Sequence, residues 1–181
     1  MQLVGQFVAG MLRALGSRFV VAYATTRVVS DTLVDAYSIE GQSMAPTLNP
    51  DGDVVLVNRL VTLFPRDLAR GDVVVAKALD DPMTFVCKRI AALEGDTVQV
   101  VDNAETGAVR TCTVGKGKVW LVGDNGKHSY DSRHYGDVPH ALIKGRVLGR
   151  VWPLRELGPL SEDVPPSTAS VVSSRATTTS G

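Results

Sequence analysis

Short β-branched runs separated by Gly and Asp fill the stretch from Asp51 to Val151: Val54–Val57, Val73–Ala76, Phe85–Ile90, Val98–Val101, Val119–Val122 and Ile143–Val151. Such side chains are stiff at χ1 and suit a pleated surface, while Gly and Asp supply the turns between them. No helical pattern of roughly 10–15 residues alternates with these runs, which disfavours a parallel sheet of βαβ units. The pattern predicts a mainly β, barrel-type body.

Both ends depart from it. Leu3, Val4, Phe7, Val8, Met11, Leu12, Leu15, Phe19 and Val20 recur at helical spacing, with Gln2, Gln6, Arg13 and Ser17 on the other side. This amphipathic helix carries arginines and no acidic residue, the pattern of a mitochondrial targeting segment, a membrane-surface helix or a membrane anchor; a terminal helix packed on its own domain has the same periodicity. Residues 161–181 are mostly Ser, Thr, Pro and Val, with too little apolar surface to offset ordering entropy, and are expected to be disordered. The predicted organisation is an N-terminal helical segment over 1–35, a folded body over 36–160 and a tail over 161–181.

Nineteen Lys and Arg balance nineteen Asp and Glu. A nucleic-acid binder held by a broad basic face is therefore set aside. Two cysteines, Cys87 and Cys112, exclude a disulfide-dense scaffold and a four-cysteine zinc site. His128, His134 and His140 lie in one loop-like segment at six-residue spacings, not the i, i+4 pair of a helical metal site. No metal or cofactor is expected.

Three segments carry candidate chemistry. Ser43 follows Gly41-Gln42 and precedes Met44-Ala45-Pro46, a setting for an exposed nucleophile and equally for a plain turn. Lys88 shares a strand face with Val86 and Ile90. On an edge strand such a lysine simply reaches water; facing inward it loses its hydration, which lowers its pKa and frees the neutral amine to act as a base. The third segment, Gly123 to Gly136, follows the apolar run Val119–Val122 and gathers Asp124, Asn125, Ser129, Asp131 and Arg133 at a strand end.

In order, Gly41-Gln42-Ser43-Met44-Ala45-Pro46-Thr47-Leu48, Gly71-Asp72-Val73-Val74, Lys88-Arg89-Ile90 running to Gly95-Asp96, and Gly123-Asp124-Asn125 with Ser129, Asp131, Ser132 and Arg133 resemble the motif set of type I signal peptidases. Cys87-Lys88-Arg89, Ala92-Leu93-Glu94-Gly95-Asp96, Gly145-Arg146 and Trp152-Pro153-Leu154 are most similar to the mitochondrial inner-membrane branch of that family. The resemblance covers about residues 36–160. Bacterial relatives carry a large second β-domain between the lysine and the last motif; here residues 97–122 fill that interval.

The resemblance implies a signal-peptidase-like β core with an N-terminal anchor helix. Ser43 is then the nucleophile and neutral Lys88 the general base, working through an acyl-enzyme. Ser129 matches the serine that hydrogen-bonds the lysine amine, Asp131 and Arg133 match the pair that shapes the site, and Asp124 and Asn125 fix the turn. Gly41 stands where some bacterial relatives have a serine that donates to the oxyanion, which leaves that role to backbone N–H groups, notably that of Ser43. The implied partners are precursor proteins with sorting peptides, a second homologous subunit and inner-membrane lipid, with the body in the intermembrane space. Two rival readings are a self-cleaving Ser/Lys regulator, which would cut at Ala9-Gly10, and a catalytically silent scaffold subunit.

Overall fold

The computed structural model describes residues 19–21, 23, 33–63, 67–103 and 108–161. The chain divides into two units, Met1–Asp35 and Ala36–Gly181. In the first, Phe19, Val20, Val21 and Tyr23 are helical and exposed. The rest of the helix expected over 2–20 lies outside the described residues, as does the expected tail beyond Ser161. No helix among the described residues is long and apolar enough to cross a membrane.

The second unit is built on a seven-stranded sheet. Its strands are β1 (Val34–Ile39), β2 (Asp53–Asn58), β3 (Val73–Lys77), β4 (Phe85–Leu93), β7 (Lys118–Val122), β8 (Val138–Pro139) and β9 (Ile143–Trp152), in the order β1-β2-β9-β3-β4-β7-β8. A separate two-stranded ribbon joins β5 (Thr97–Asn103) to β6 (Ala108–Thr113). Each run read from the sequence is a strand; β1, β6 and β8 are additional. The pairs β2–β9, β3–β9, β3–β4, β4–β7 and β7–β8 are antiparallel.

Register irregularities interrupt β2–β9, β3–β9 and β4–β7. Irregularities of this kind bend a strand and increase its twist, and here the sheet curls into a half-barrel. Although β1 and β4 stand four places apart in the strand order, the rings of Tyr37 and Phe85 meet with centroids 5.5 Å apart.

The curled sheet encloses three apolar clusters. Val74, Ala76, Ile90, Val119 and Leu121 form one. Met44, Leu48, Val55, Val57, Val73, Val75 and Cys87 form another. Alternate residues of β3 and β4 thus serve opposite faces, as the strand period of two requires. The third joins Ala92, Trp120 and Val122 to Val98, Val100 and Val114, sealing the ribbon onto β4 and β7.

Candidate active site

Ser43 lies on a closed loop between β1 and β2. The Gly41 N–H donates to the Pro50 carbonyl at 3.0 Å, and the Leu48 N–H donates to the Met44 carbonyl at 3.0 Å. Met44 and Leu48, each 1% exposed, plug this loop into the core and leave Ser43 partly exposed on the 3₁₀ turn Gln42–Met44. Gly41 has φ +99°, a left-handed conformation that a side chain strains. That is a backbone reason for glycine at this position. In the first turn of a 3₁₀ segment the Ser43 N–H has no acceptor within the turn, which leaves it available to a ligand oxygen.

Lys88 lies in β4 opposite Val74 of β3 and is 4% exposed. Burial pushes its pKa below the ordinary lysine value, against an opposing pull from the Asp131 charge. No hydrogen bond or ion pair engages its ammonium among the described residues. The Gln42–Met44 turn packs directly on β4 and on the Gly126–His128 turn.

The segment after β7 converges on the same place. Asp131 is fully buried, and Arg133 grips it with two parallel bonds, Nε to Oδ1 at 2.8 Å and Nη2 to Oδ2 at 2.7 Å. The Gly123 N–H donates to Asp131 Oδ2 at 2.9 Å and Ser129 Oγ donates to the same oxygen at 2.6 Å. Burial alone would raise this carboxyl's pKa, but these donors outweigh it and hold it below the usual carboxylate range. Asp131 also caps the short helix Ser132–Tyr135. The Asp131–Arg133 pairing agrees with the sequence reading. Ser129 differs: its hydroxyl proton goes to Asp131, and it makes no hydrogen bond to Lys88.

Gly123 brings the serine loop and this segment together. A Cβ there would fall 2.2 Å from Ser129 Oγ and 2.5 Å from the Ser43 carbonyl oxygen, so only glycine permits this approach. The Asn125 N–H donates to the Ser43 carbonyl at 3.0 Å, tying the final motif to the serine turn by main chain alone. Gly41, Ser43, Asp124, Asn125, Ser129, Asp131 and Arg133 therefore form one connected assembly, with Lys88 buried on the strand that supports it.

The sequence profile described as "Signal peptidase, peptidase S26" matches residues 12–106 and 102–152. The chain belongs to this peptidase family. It is 42% identical over 145 residues to mitochondrial inner membrane protease subunit 1 of Schizosaccharomyces pombe, covering 80% of this chain and 90% of that one. The Xenopus tropicalis subunit 1 is 47% identical over 122 residues, 67% of this chain and 71% of the relative. Similarity extends to mitochondrial inner membrane protease subunit 2 of Danio rerio, 35% identical over 158 residues, 85% of this chain and 84% of the relative.

In this S26 peptidase the residues that bind the motifs together were only half visible in the sequence. Arg89 Nε and Nη2 hold the two oxygens of Asp124 at 2.8 and 2.7 Å, and Arg89 Nη1 donates to the Gly71 carbonyl at 2.8 Å. Thr47 Oγ1 adds a bond to Asp124 Oδ2 at 2.5 Å. One buried ion pair thus links the serine loop, the Gly71-Asp72 turn, β4 and the post-β7 turn. Arg150 supports the same loop from β9, donating to the Thr47 carbonyl at 2.6 Å and pairing with Asp53 at 3.1 Å. Arg89 stood beside Lys88 in the motif with no role read for it, and nothing in the pattern singled out Arg150.

Proposed function

We propose that this chain is a membrane-associated serine endopeptidase that removes sorting peptides from precursor proteins, with Ser43 as nucleophile and neutral Lys88 as general base. The observation that carries this reading is the state of Lys88. It is buried, without a carboxylate hydrogen bond or ion pair among the described residues, depressed in pKa and set on the strand against which the Ser43 turn packs. A cation in such a place destabilises the fold, whereas the unprotonated amine is a competent general base.

In the proposed cycle Lys88 Nζ takes the Ser43 hydroxyl proton as Oγ attacks the scissile carbonyl, and the Ser43 N–H donates to the resulting oxyanion. Lys88 returns the proton to the leaving amine. A water then loses its proton to Lys88, attacks the ester and frees Ser43. Asp131, held by Arg133, fixes the Ser129 hydroxyl and the turn rather than relaying a proton.

The sheet supports an extended substrate. β7 pairs with β4 only from Arg89 onward, so among the described residues Phe85–Lys88 have no strand on that side in the sheet order. A peptide added there by main-chain hydrogen bonds runs directly to the catalytic lysine. On the Val86 face a pocket of about 50 Å³, lined by Val86, Leu121, Tyr130, Tyr135 and Val138, favours small side chains. The names of the relatives support the mitochondrial inner membrane as the location and a second, homologous subunit as partner; the body is proposed to face the intermembrane space.

The test is cleavage of a precursor carrying a sorting peptide by the full chain in detergent, alone and with a subunit 2 homologue. Ser43→Ala and Lys88→Ala are expected to abolish cleavage with the fold intact. Lys88→Arg is expected to fail too, because a guanidinium stays protonated. Near-normal turnover in any of these overturns the dyad; cutting at Ala9-Gly10 alone supports the self-cleaving reading instead.

A further inference from the structure

Beyond β9 the chain turns back along the strand it has just left. The Arg150 N–H donates to the Gly158 carbonyl at 2.8 Å, and the Gly158 N–H returns a bond to the Arg150 carbonyl at 3.1 Å. The crossing is close: a Cβ on Gly149 would fall 2.5 Å from the Gly158 carbonyl oxygen and 3.3 Å from Pro159 Cα. Two residues further, Leu160 packs against the cluster that contains Met44 and Leu48, the two side chains that plug the serine loop into the core. The Ser161 carbonyl accepts a long bond, 3.4 Å, from Arg89 Nη1, whose guanidinium also holds Asp124 and through it Thr47. This short segment thus reaches the serine turn by two routes, an apolar one from beneath and a polar one through Arg89.

Leu160 lies away from the Val86 face proposed to take substrate. Leu160 bears on the cluster containing Cys87, Val73 and Val75, the opposite face of β4 from Val86 and Ile90. A cavity of about 270 Å³ lies beside the strap, bordered by Arg89, Arg146, Leu148, Pro159, Leu160 and Ser161. The Gly158 bonds, Leu160 and the Ser161 carbonyl tie this segment to the body.

We propose that Gly158–Ser161 is a positioning strap for the nucleophile, holding the Ser43 turn in register with Lys88 from the far side of the sheet. The strap acts on the turnover step and not on substrate capture. It rests on the assignment of Ser43 and Lys88 made above.

The test uses the full chain in detergent with a sorting-peptide substrate and compares Leu160→Ala, Leu160→Met and Gly149→Ala with wild type. Protection of the Arg150 and Gly158 amides from hydrogen exchange reports whether the strap is seated. Leu160→Ala is expected to lower kcat at least tenfold with KM within twofold. The pH at which activity rises should stay unchanged, because the burial of Lys88 is untouched. Leu160→Met, similar in volume, restores most of kcat. Gly149→Ala is expected to lift the strap, lose amide protection and show the same kcat defect. Loss of protection with normal kcat overturns the proposal, as does a Leu160→Ala defect confined to KM; the Leu160 pair decides if Gly149→Ala does not fold. Ser43→Ala in the same assay separates the two claims. If it retains activity, the nucleophile assignment fails; if it is inactive while the strap variants turn over normally, the strap alone fails.

Discussion

Arg89 and Asp124, 35 residues apart, close a two-pronged ion pair with side chains 1% and 0% exposed, and every motif of the site meets at it. Gly71 is held by Arg89, Thr47 by Asp124, and Lys88 is the immediate neighbour of Arg89 on β4. Such a pair is costly to desolvate, and its worth lies in fixing geometry. Four carboxylate and carbonyl acceptor bonds place a guanidinium more narrowly than an apolar contact would.

Breaking the pair leaves a buried charge uncompensated. Arg89→Ala is expected to cost about 3–5 kcal/mol of stability, read as a fall in the urea midpoint. Arg89→Lys is expected to fall between, since an ammonium cannot span both Asp124 oxygens and the Gly71 carbonyl at once. A loss below about 1 kcal/mol for Arg89→Ala, small on the scale of a broken buried pair, would show that the pair does not organise the site.

The stability of the protein should report the depressed Lys88. Its folded pKa lies below the unfolded value near 10.5. Between those two values the unfolded chain binds more protons, and stability rises with pH. Below the folded value the cation is buried at a cost. Lys88→Met removes that cost: the variant is expected to be inactive yet to melt higher than wild type at pH 7, with the gap narrowing as pH approaches 10. A Lys88→Met protein that melts lower at pH 7 would contradict the burial argument.

Cys87 is predicted to be inert. Burial, far outweighing the neighbouring Lys88 charge, pushes its thiol up to about 12, and the thiolate is the reactive form. Alkylating reagents at neutral pH should modify only Cys112, which is partly buried on the ribbon, and should leave peptide cleavage intact. Mass spectrometry of the alkylated protein locates the label, and labelling of Cys87 in the folded protein would refute this.

Strands facing a core on at least one side were legible because burial writes β-branched residues into the sequence: Val73–Ala76 and Val119–Val122 are buried throughout. β6 was not, since Ala-Val-Arg-Thr-Cys-Thr is exposed along almost its whole length and carries no such imprint. β1 hid in Val-Asp-Ala-Tyr-Ser-Ile, an edge strand with no fully buried residue and no regular apolar alternation. The site was legible in the Asp131–Arg133 pairing and in the inward-facing burial of Lys88, where chemistry restricts residue type. It was opaque where one group serves several distant segments. The bond from Ser129 to Asp131, rather than to the lysine, depends on which acceptor the backbone brings within 2.6 Å, and no spacing encodes that.

Gly123→Ala provides the sharpest test of how the serine turn is held. The new Cβ would lie 2.2 Å from Ser129 Oγ and 2.5 Å from the Ser43 carbonyl oxygen. Neither neighbour is free to yield: Ser129 is bound to Asp131 at 2.6 Å, and the Ser43 carbonyl accepts the Asn125 N–H at 3.0 Å. The collision must displace the turn that carries Ser43, the proposed nucleophile. A shift of about 1 Å there is expected to lower cleavage roughly 100-fold, and overpacking to cost about 1–3 kcal/mol of stability. Gly117→Ala is the control. Gly117, unlike Gly123, has a positive φ, +72°, and a Cβ there meets nothing within 4 Å, so the substitution strains the backbone by about 1–2 kcal/mol without touching the site. Equal stability losses with activity lost only in Gly123→Ala would locate the effect in the close approach of Gly123 to Ser43 and Ser129; parallel loss of activity in both would place it in general destabilisation.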